Sequence, residues 1–302
     1  MIDRKRTRWL LSLMICVLAA SCAEPAGSGE DTARSDAIGD PSPAASSATD
    51  ALEPSHEPIR VFVPPTRQEG DRVVLPVVFP DGSRAELAYP PELDLAGLGV
   101  RPYWAGCGRD FWFHYYDPYG SLYEGEPLAQ WTGSDAQTVA LWRSADKEPG
   151  TDGEPIVYLV FHFGSWTVLV YDYGGAAAMT DADRAACAMG LAGSVTPEGW
   201  IVMSGPPGVH LGGDEPELEF GGLGANEPFV LFFPGSCDPE AYGSQVTVID
   251  GVPVDLSEGF ASWCHPGEMM TIHVYFTGEP VFVERLVKEL EVRDVQLSSA
   301  VR

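Results

Sequence analysis

The chain has 302 residues and is strongly acidic, with 44 Asp and Glu against 18 Lys and Arg and a formal charge of −26 at pH 7. Hydrophobic residues make up 45% of the chain, which is sufficient for the core of a globular domain. Nucleic-acid binding needs clustered Lys and Arg, and because no basic run occurs beyond the N-terminus, the composition excludes nucleic acid as a partner.

The N-terminus has the pattern of a secretory signal peptide. Four basic residues lie within residues 1–8, and the segment 9–20 is almost wholly apolar. This apolar run is shorter than the roughly 20 residues of a membrane-spanning helix. We therefore expect residues 1–21 to be removed. The mature chain then keeps 14 of the 18 basic and 43 of the 44 acidic residues, a formal charge of −29.

The apolar run ends in the sequence LAASC, residues 18–22, which resembles the lipobox of bacterial lipoproteins. In that family, cleavage occurs in front of the cysteine, which is lipidated. Ala19 stands where the family usually has leucine, and Leu18 lies one place earlier. The resemblance implies that Cys22 becomes the lipidated first residue and anchors the protein on the extracytoplasmic side of the cell membrane. The alternative is an ordinary signal peptide cut after Ala23, which would give a secreted protein.

Residues 22–57 are predicted to be a disordered linker. After Cys22 they are rich in small, proline and acidic residues, contain no aromatic residue, and cannot bury enough apolar area to fold. A flexible chain of this length spans about 30–35 Å. Two acyl chains on Cys22 would make a durable anchor. The linker is therefore predicted to tether the rest of the chain to the membrane.

Folded structure is predicted from residue 58 onward. A β-rich region, 58–150, precedes an α+β region, 151–302, and the two are alternatively one continuous domain. Pro80-Asp81-Gly82 lies between apolar runs and predicts a hairpin, as does Asp250-Gly251.

The segment 101–123 is the most aromatic part of the chain. Alternation predicts that Phe111, Phe113 and Tyr115 share one face of a strand. We consider two interpretations, a strand buried on both sides and an exposed aromatic platform. In the second, Trp104, Trp112 and Tyr116 stack on a sugar or contact a partner.

Residues 156–172 are predicted to be the centre of the core. The segments on either side of Gly164-Ser165 are both continuously apolar, and Gly164-Ser165 suits a two-residue turn. This pattern predicts a hairpin whose two strands are buried on both faces.

Two helices are predicted, both in the C-terminal half. The first starts after Thr180, a good N-cap residue, and the second starts near Glu279-Pro280 and is amphipathic. The strand sequences TVLVY, residues 167–171, and TIHVY, residues 271–275, each precede one helix. This recurrence suggests a duplicated strand-and-helix module. The alternative explanation is that Thr, Val and Tyr are common in strands, so that the two sequences are similar without a duplication.

The cysteine count predicts a disulfide-stabilised ectodomain. Cys107, Cys187, Cys237 and Cys264 remain after removal of the signal and lipidation, an even number in an exported protein. Of the three connectivities, we favour Cys237 with Cys264 and Cys107 with Cys187. A buried free thiol is the alternative for Cys187.

No familiar catalytic, metal or cofactor motif is present in the sequence. Cys264 and His265 are adjacent on the chain, so their side chains cannot pair directly on an extended backbone. In the acidic segment 212–222, Glu217 and Glu219 alternate with apolar residues, which is typical of a half-exposed strand rather than a calcium site. We therefore predict no metal and no cofactor.

The five histidines of the folded region are scattered and are interpreted as structural. They are His114, His162, His210, His265 and His273. A dispersed triad with Ser165, Ser204 or Ser236 is the alternative.

The sequence thus predicts an α+β domain, mainly antiparallel β-sheet, that is disulfide-stabilised and tethered to a membrane through its lipid. The preferred function is non-catalytic binding of a small molecule, a glycan or a protein. The alternatives are a cell-envelope hydrolase with a dispersed site and an assembly or scaffolding subunit, which a contiguous exposed apolar patch would indicate.

Overall fold

The computed structural model describes residues 61–115, 123–144, 156–172, 178–205, 216–221, 228–235, 246–265, 270–277 and 280–298. These residues contain 18 strands and two α-helices, with both helices in the C-terminal half. All strand pairs among them are antiparallel. The predicted α+β class is therefore confirmed. The predicted signal peptide and linker lie outside the described residues.

The strands of the first half are β1 Arg67–Glu69, β2 Arg72–Val78, β3 Arg84–Tyr89, β4 Val100–Gly106, β5 Arg109–Tyr115, β6 Tyr123–Thr132, β7 Thr138–Ser144, β8 Val157–Phe163 and β9 Trp166–Asp172. The elements of the second half are α1 Asp181–Gly190, β10 Ala192–Val195, β11 Ile201–Ser204, β12 Glu217–Gly221, β13 Phe229–Pro234, β14 Val246–Ile249, β15 Val252–Ser257, β16 Phe260–Cys264, β17 Met270–Tyr275, α2 Val281–Glu289 and β18 Glu291–Gln296.

Twelve strands form one large sheet in the order β14-β15-β16-β17-β13-β12-β4-β5-β9-β8-β7-β6. A second sheet has the order β1-β2-β3-β18, and β10 pairs with β11. Strands from both sides of residue 150 share the large sheet. In the described part of the chain, no helix combines the length and apolar character needed to cross a bilayer.

The two halves of the large sheet have the same topology. The first half runs β4-β5-β9-β8-β7-β6 and the second β12-β13-β17-β16-β15-β14, and β4 pairs with β12 where they meet. In each half the last strand, β9 or β17, leads into a helix. The strand after each helix also pairs with the strand preceding the other half, as β10 with β11 and β18 with β3. This correspondence supports the duplicated module suggested by the sequence.

The inner face of the large sheet is the face that carries Val100, Trp104 and Phe111, all buried in the main core. The smaller four-stranded sheet adds Leu75 and Leu87 to this core. The helices contribute one buried stripe each, formed by Cys187 and Ala188 on α1 and by Val283 and Leu286 on α2. The central hairpin predicted at residues 156–172 is confirmed, because nearly all of β8 and β9 is buried.

The predicted hairpin turns have the expected local chemistry. Gly164 adopts φ 59° between β8 and β9, and Asp250 and Gly251 adopt φ 51° and 83° between β14 and β15. Such positive values match tight turns that follow the sheet twist. Between β2 and β3, Asp81 accepts hydrogen bonds from the amide and hydroxyl of Ser83 at 2.8 and 2.6 Å.

Both predicted helices are present and begin where the sequence indicated. The Thr180 hydroxyl accepts from the Asp183 amide at 3.1 Å, while the Asp183 carboxylate accepts from the Thr180 amide at 3.2 Å, forming a capping box. The pKa of Asp183 is lowered first by the Thr180 hydroxyl, which donates to the carboxylate at 2.6 Å, and second by the Thr180 amide. Pro280 is the N-cap residue of α2 rather than its first helical residue. At the other end of α2, Arg72 donates to the Glu289 carbonyl at 2.6 Å.

Candidate functional site

Cys107 and Cys187 form a disulfide with a Cα–Cα distance of 5.8 Å, the pairing that the sequence favoured. It joins the turn between β4 and β5 to the buried side of α1. Cys264 is also disulfide-bonded, so it is not a free thiol nucleophile. Cys237, its predicted partner, lies outside the described residues, as does the lipidation candidate Cys22.

A buried carboxylate braces α1 against β9 beside this disulfide. Asp172 is 1% exposed and accepts from Arg184 Nη2 at 2.7 Å, Arg184 Nε at 3.0 Å and the Met179 amide at 3.1 Å. Arg109 Nη2 lies 3.7 Å from the same carboxylate. Because its charge and lone pairs are satisfied by these neighbours, Asp172 has a structural role.

Of the aromatic platform predicted from Trp104, Trp112 and Tyr116, the structure describes the side chain of Trp104 alone. Trp104 lies opposite Phe111 in the sheet register and is only 3% exposed, because it belongs to the inner face. Trp112 lies opposite Tyr103 in the backbone register of β4 and β5. The burial of Trp104 removes it from an exposed platform, whereas a role for Trp112 stays a prediction. Tyr116 lies outside the described residues.

The outer face of the second half instead carries a cluster that we call the aromatic patch, namely Phe229, Phe233, Phe260, His273 and Tyr275. On β13, Val230 and Phe232 are fully buried on the inner face, whereas Phe229 and Phe233 are only partly buried. The same alternation makes Tyr275 38% exposed on β17. Three neighbouring strands thus place these residues together.

The rings of the aromatic patch pack against one another. Phe229, Tyr275 and Phe260 are directly opposite in register across β13, β17 and β16. The Phe229 and Tyr275 ring centroids are 4.4 Å apart with planes at 11°, and those of Tyr275 and Phe260 are 5.0 Å apart at 61°. His273 lies between Phe233 and Phe260, with centroids at 4.7 and 5.4 Å. Mutual packing restricts the motion of the rings, which would lower the entropy cost of a contact with another molecule.

The equivalent face of the first half is buried. Tyr171 occupies the place of Tyr275 in the repeated strand sequence and packs on Tyr158, with ring centroids 4.6 Å apart. Tyr158, Val160 and Leu169 on this face are each 1% exposed. The fold therefore builds an apolar outer face in both halves, and among the described residues the second half leaves its aromatic rings partly open to solvent.

The surroundings of the aromatic patch are polar and mainly acidic. Glu219, opposite Leu231, forms an ion pair with Arg101 at 2.5 Å. The pKa of Tyr275 is raised, first by burial and second by the negative charge of Glu217. The phenol is therefore neutral at physiological pH and presents a hydrogen-bond donor at the surface.

An acid, a serine and a histidine lie side by side across β15, β16 and β17 on the outer face, an arrangement that the sequence did not predict. Asp255 is opposite Ser262, and Ser262 is opposite His273. In a catalytic triad the histidine stands between the serine and the acid. Here the serine holds the middle position. Because adjacent strands are about 4.8 Å apart, the acid and the histidine are separated by two strand spacings, and the order does not match that of a triad.

Two other predicted structural histidines have structural contacts. His162 Nδ1 lies 3.2 Å from the Thr167 hydroxyl, and His265 Nε2 lies 3.3 Å from both the Leu290 carbonyl oxygen and the Val292 amide. His114 lies on β5, and His210 is outside the described residues, as is Ser236. Ser165 is in the β8–β9 turn and Ser204 ends β11.

No family model and no curated protein matches this chain. Over the described ranges, no group of three or more His, Cys, Asp or Glu residues is placed to hold a metal ion. Glu217 and Glu219 alternate with buried Leu218 and Phe220, the half-exposed strand pattern predicted for the acidic segment.

Proposed function

We propose that this protein is a membrane-anchored extracytoplasmic lipoprotein whose domain binds another protein through the aromatic patch. The observation that carries the proposal is the cluster of preformed, partly exposed rings on the outer face of β13, β16 and β17. Exposed apolar clusters with polar surroundings are typical of interaction surfaces. The N-terminal lipobox-like sequence supplies the proposed anchor, and the predicted linker would allow the domain to move away from the membrane surface.

Ring orientation favours a protein partner over a sugar. Phe229 and Tyr275 turn their ring faces toward each other along the sheet, with planes at 11°. Their edges and the Tyr275 hydroxyl are then what the surface offers outward. Sugar stacking needs an open ring face, whereas an apolar protein side chain packs readily on ring edges. Aromatic anchors of this kind are common among residues that dominate protein interfaces.

The partly exposed aromatic patch is also compatible with an assembly or scaffolding role, since that role requires an apolar contact surface as well. The two roles differ in the lifetime of the complex. A scaffold subunit would be isolated together with its partner, whereas a tethered binding domain would exchange partners.

Replacing Tyr275 by a photocrosslinking phenylalanine analogue should produce a discrete adduct with a partner protein in intact cells. The matched control is the same replacement at Leu128, which is 51% exposed on β6 at the far edge of the sheet. We expect the adduct at position 275 and none at position 128. Once the partner is purified, Tyr275→Ala should weaken its binding by about tenfold or more, because central aromatic contacts dominate interface energies.

The proposal would be wrong if both positions gave the same adducts, or if Tyr275→Ala and Leu128→Ala left affinity equally unchanged. Because Tyr275 is 38% exposed, its replacement should leave the fold intact. Near-ultraviolet circular dichroism and the urea midpoint check this directly.

A further inference from the structure

The strand β14 is an open edge of the large sheet. It pairs with β15 on one side, and no described strand pairs with its other side. Val246 and Val248 are 48% and 67% exposed, although both are large apolar residues in a regular strand. An edge of this kind presents unpaired backbone groups to solvent.

The hairpin geometry identifies which backbone groups face outward. Asp250 and Gly251 close a two-residue turn, so the flanking pair Ile249 and Val252 exchanges hydrogen bonds within the hairpin. Hydrogen-bonding direction alternates along a strand. The amide and carbonyl of Val248, and those of Val246, therefore point away from β15 toward the open side.

The opposite edge of the same sheet is protected, which makes β14 unusual. Its counterpart in the first half is β6, which contains Pro127, Gly125 at φ 78°, and an irregular register between Glu124 and Ala129. Proline, glycine and bulges are the devices that prevent edge-to-edge pairing. The sequence of β14, Val-Thr-Val-Ile, contains none of them.

Charge indicates which kind of strand would pair there. Asp250 and Glu258 are exposed in the turns on either side of β15. The neighbouring helix α2 offers no free positive charge, because Arg285 and Lys288 are ion-paired with Glu289 and Glu284. A second copy of this acidic chain would bring like charges to the edge, whereas a basic segment would neutralise them.

We propose that β14 accepts an extended, Lys- or Arg-containing segment of a partner protein as an added antiparallel strand. Backbone hydrogen bonds to Val246 and Val248 provide affinity, and the apolar side chains of the segment pack on the two valines. Basic residues of the segment are attracted by the exposed acids Asp250 and Glu258 in the flanking turns. This inference depends on the backbone of β14 and not on the aromatic patch.

The test uses purified protein and a fluorescent eight-residue peptide of alternating lysine and valine, with a glutamate–valine peptide for comparison. Val248→Pro removes an outward amide without removing a β14–β15 hydrogen bond, so peptide binding should weaken by about tenfold or more. The matched control is Leu128→Pro, because Leu128 is 51% exposed and lies within the irregular register of β6, the opposite edge strand, which already contains Pro127. We expect the control and Tyr275→Ala to bind the lysine peptide like the wild type.

Several results would overturn the proposal. These are equal binding of both peptides, binding of neither peptide, or unchanged binding by Val248→Pro. Val248→Lys provides a second variant if the proline variant fails to fold, and its added charge should also weaken binding of the lysine peptide. If sedimentation shows a dimer that Val248→Pro abolishes, the edge joins two copies of this chain and the assignment to a basic segment is wrong. Because Tyr275→Ala is measured alongside, failure of this proposal is distinguishable from failure of the aromatic patch.

Discussion

Removal of the Cys107–Cys187 disulfide should lower the free energy of unfolding by about 4–5 kcal/mol, the loop-entropy expectation for a sequence separation of 80 residues. The bridge connects the β4–β5 turn to a helix distant in sequence, so its loss greatly enlarges the unfolded ensemble. The measurement is urea denaturation of a Cys107→Ser/Cys187→Ala double variant against the wild type.

A double variant is preferable to a reducing agent, because Cys264 is also disulfide-bonded and would be reduced as well. Cys187 is 2% exposed, so alanine at that position avoids leaving a buried hydroxyl. A change below about 1 kcal/mol would contradict the expected constraint on the unfolded chain.

Replacing Arg184 by methionine should destabilise the protein by about 3 kcal/mol, because it leaves the carboxylate of Asp172 buried without its main partner. The Asp172 side chain is 2% exposed and that of Arg184 19%. Arg109 remains 3.7 Å away and limits the loss. Urea denaturation at neutral pH measures the effect.

The matched control is Arg285→Met, which removes an exposed ion pair with Glu289 on α2 and should leave the urea midpoint unchanged. Adding Asp172→Asn to Arg184→Met should recover stability, since it removes the uncompensated charge while the amide oxygen still accepts from the Met179 amide. If Arg184→Met were no more harmful than Arg285→Met, Asp172 would not brace α1 against β9.

Local signals in the sequence predicted much of the fold. Asp250-Gly251, Gly164-Ser165 and the Thr180 cap each specify their conformation through neighbouring residues, and all are present in the structure. The pairing of β18 with β3 was not predicted, because it joins the two ends of the domain. Such contacts leave no local pattern.

The predicted site depended on which face of the sheet each aromatic residue occupies, and composition does not give this. Segment 101–123 was chosen for its aromatic content, which did not reveal that Trp104 is buried opposite Phe111 on the inner face. The aromatic patch was missed for a related reason. Its residues lie on three strands, and only the pairing of β13 with β17 and of β17 with β16 brings them together.

The proposed tether would suit the binding role proposed for the aromatic patch. A chain with a formal charge near −29 after signal removal would be repelled by anionic headgroups, so the domain of the proposed lipoprotein would stand away from the bilayer. The predicted linker of about 30–35 Å would then set the volume in which the aromatic patch meets the proposed partner. This confinement would raise affinity at the membrane without any new contact.

Intact-mass analysis of the mature protein, isolated from a bacterial membrane fraction, tests the proposed anchor most directly. We expect an N-terminus at Cys22 carrying a diacylglyceryl group, with Cys107 and Cys187 oxidised. A chain that retains Met1, or a lipid-free chain that begins at Glu24, would contradict the membrane tether.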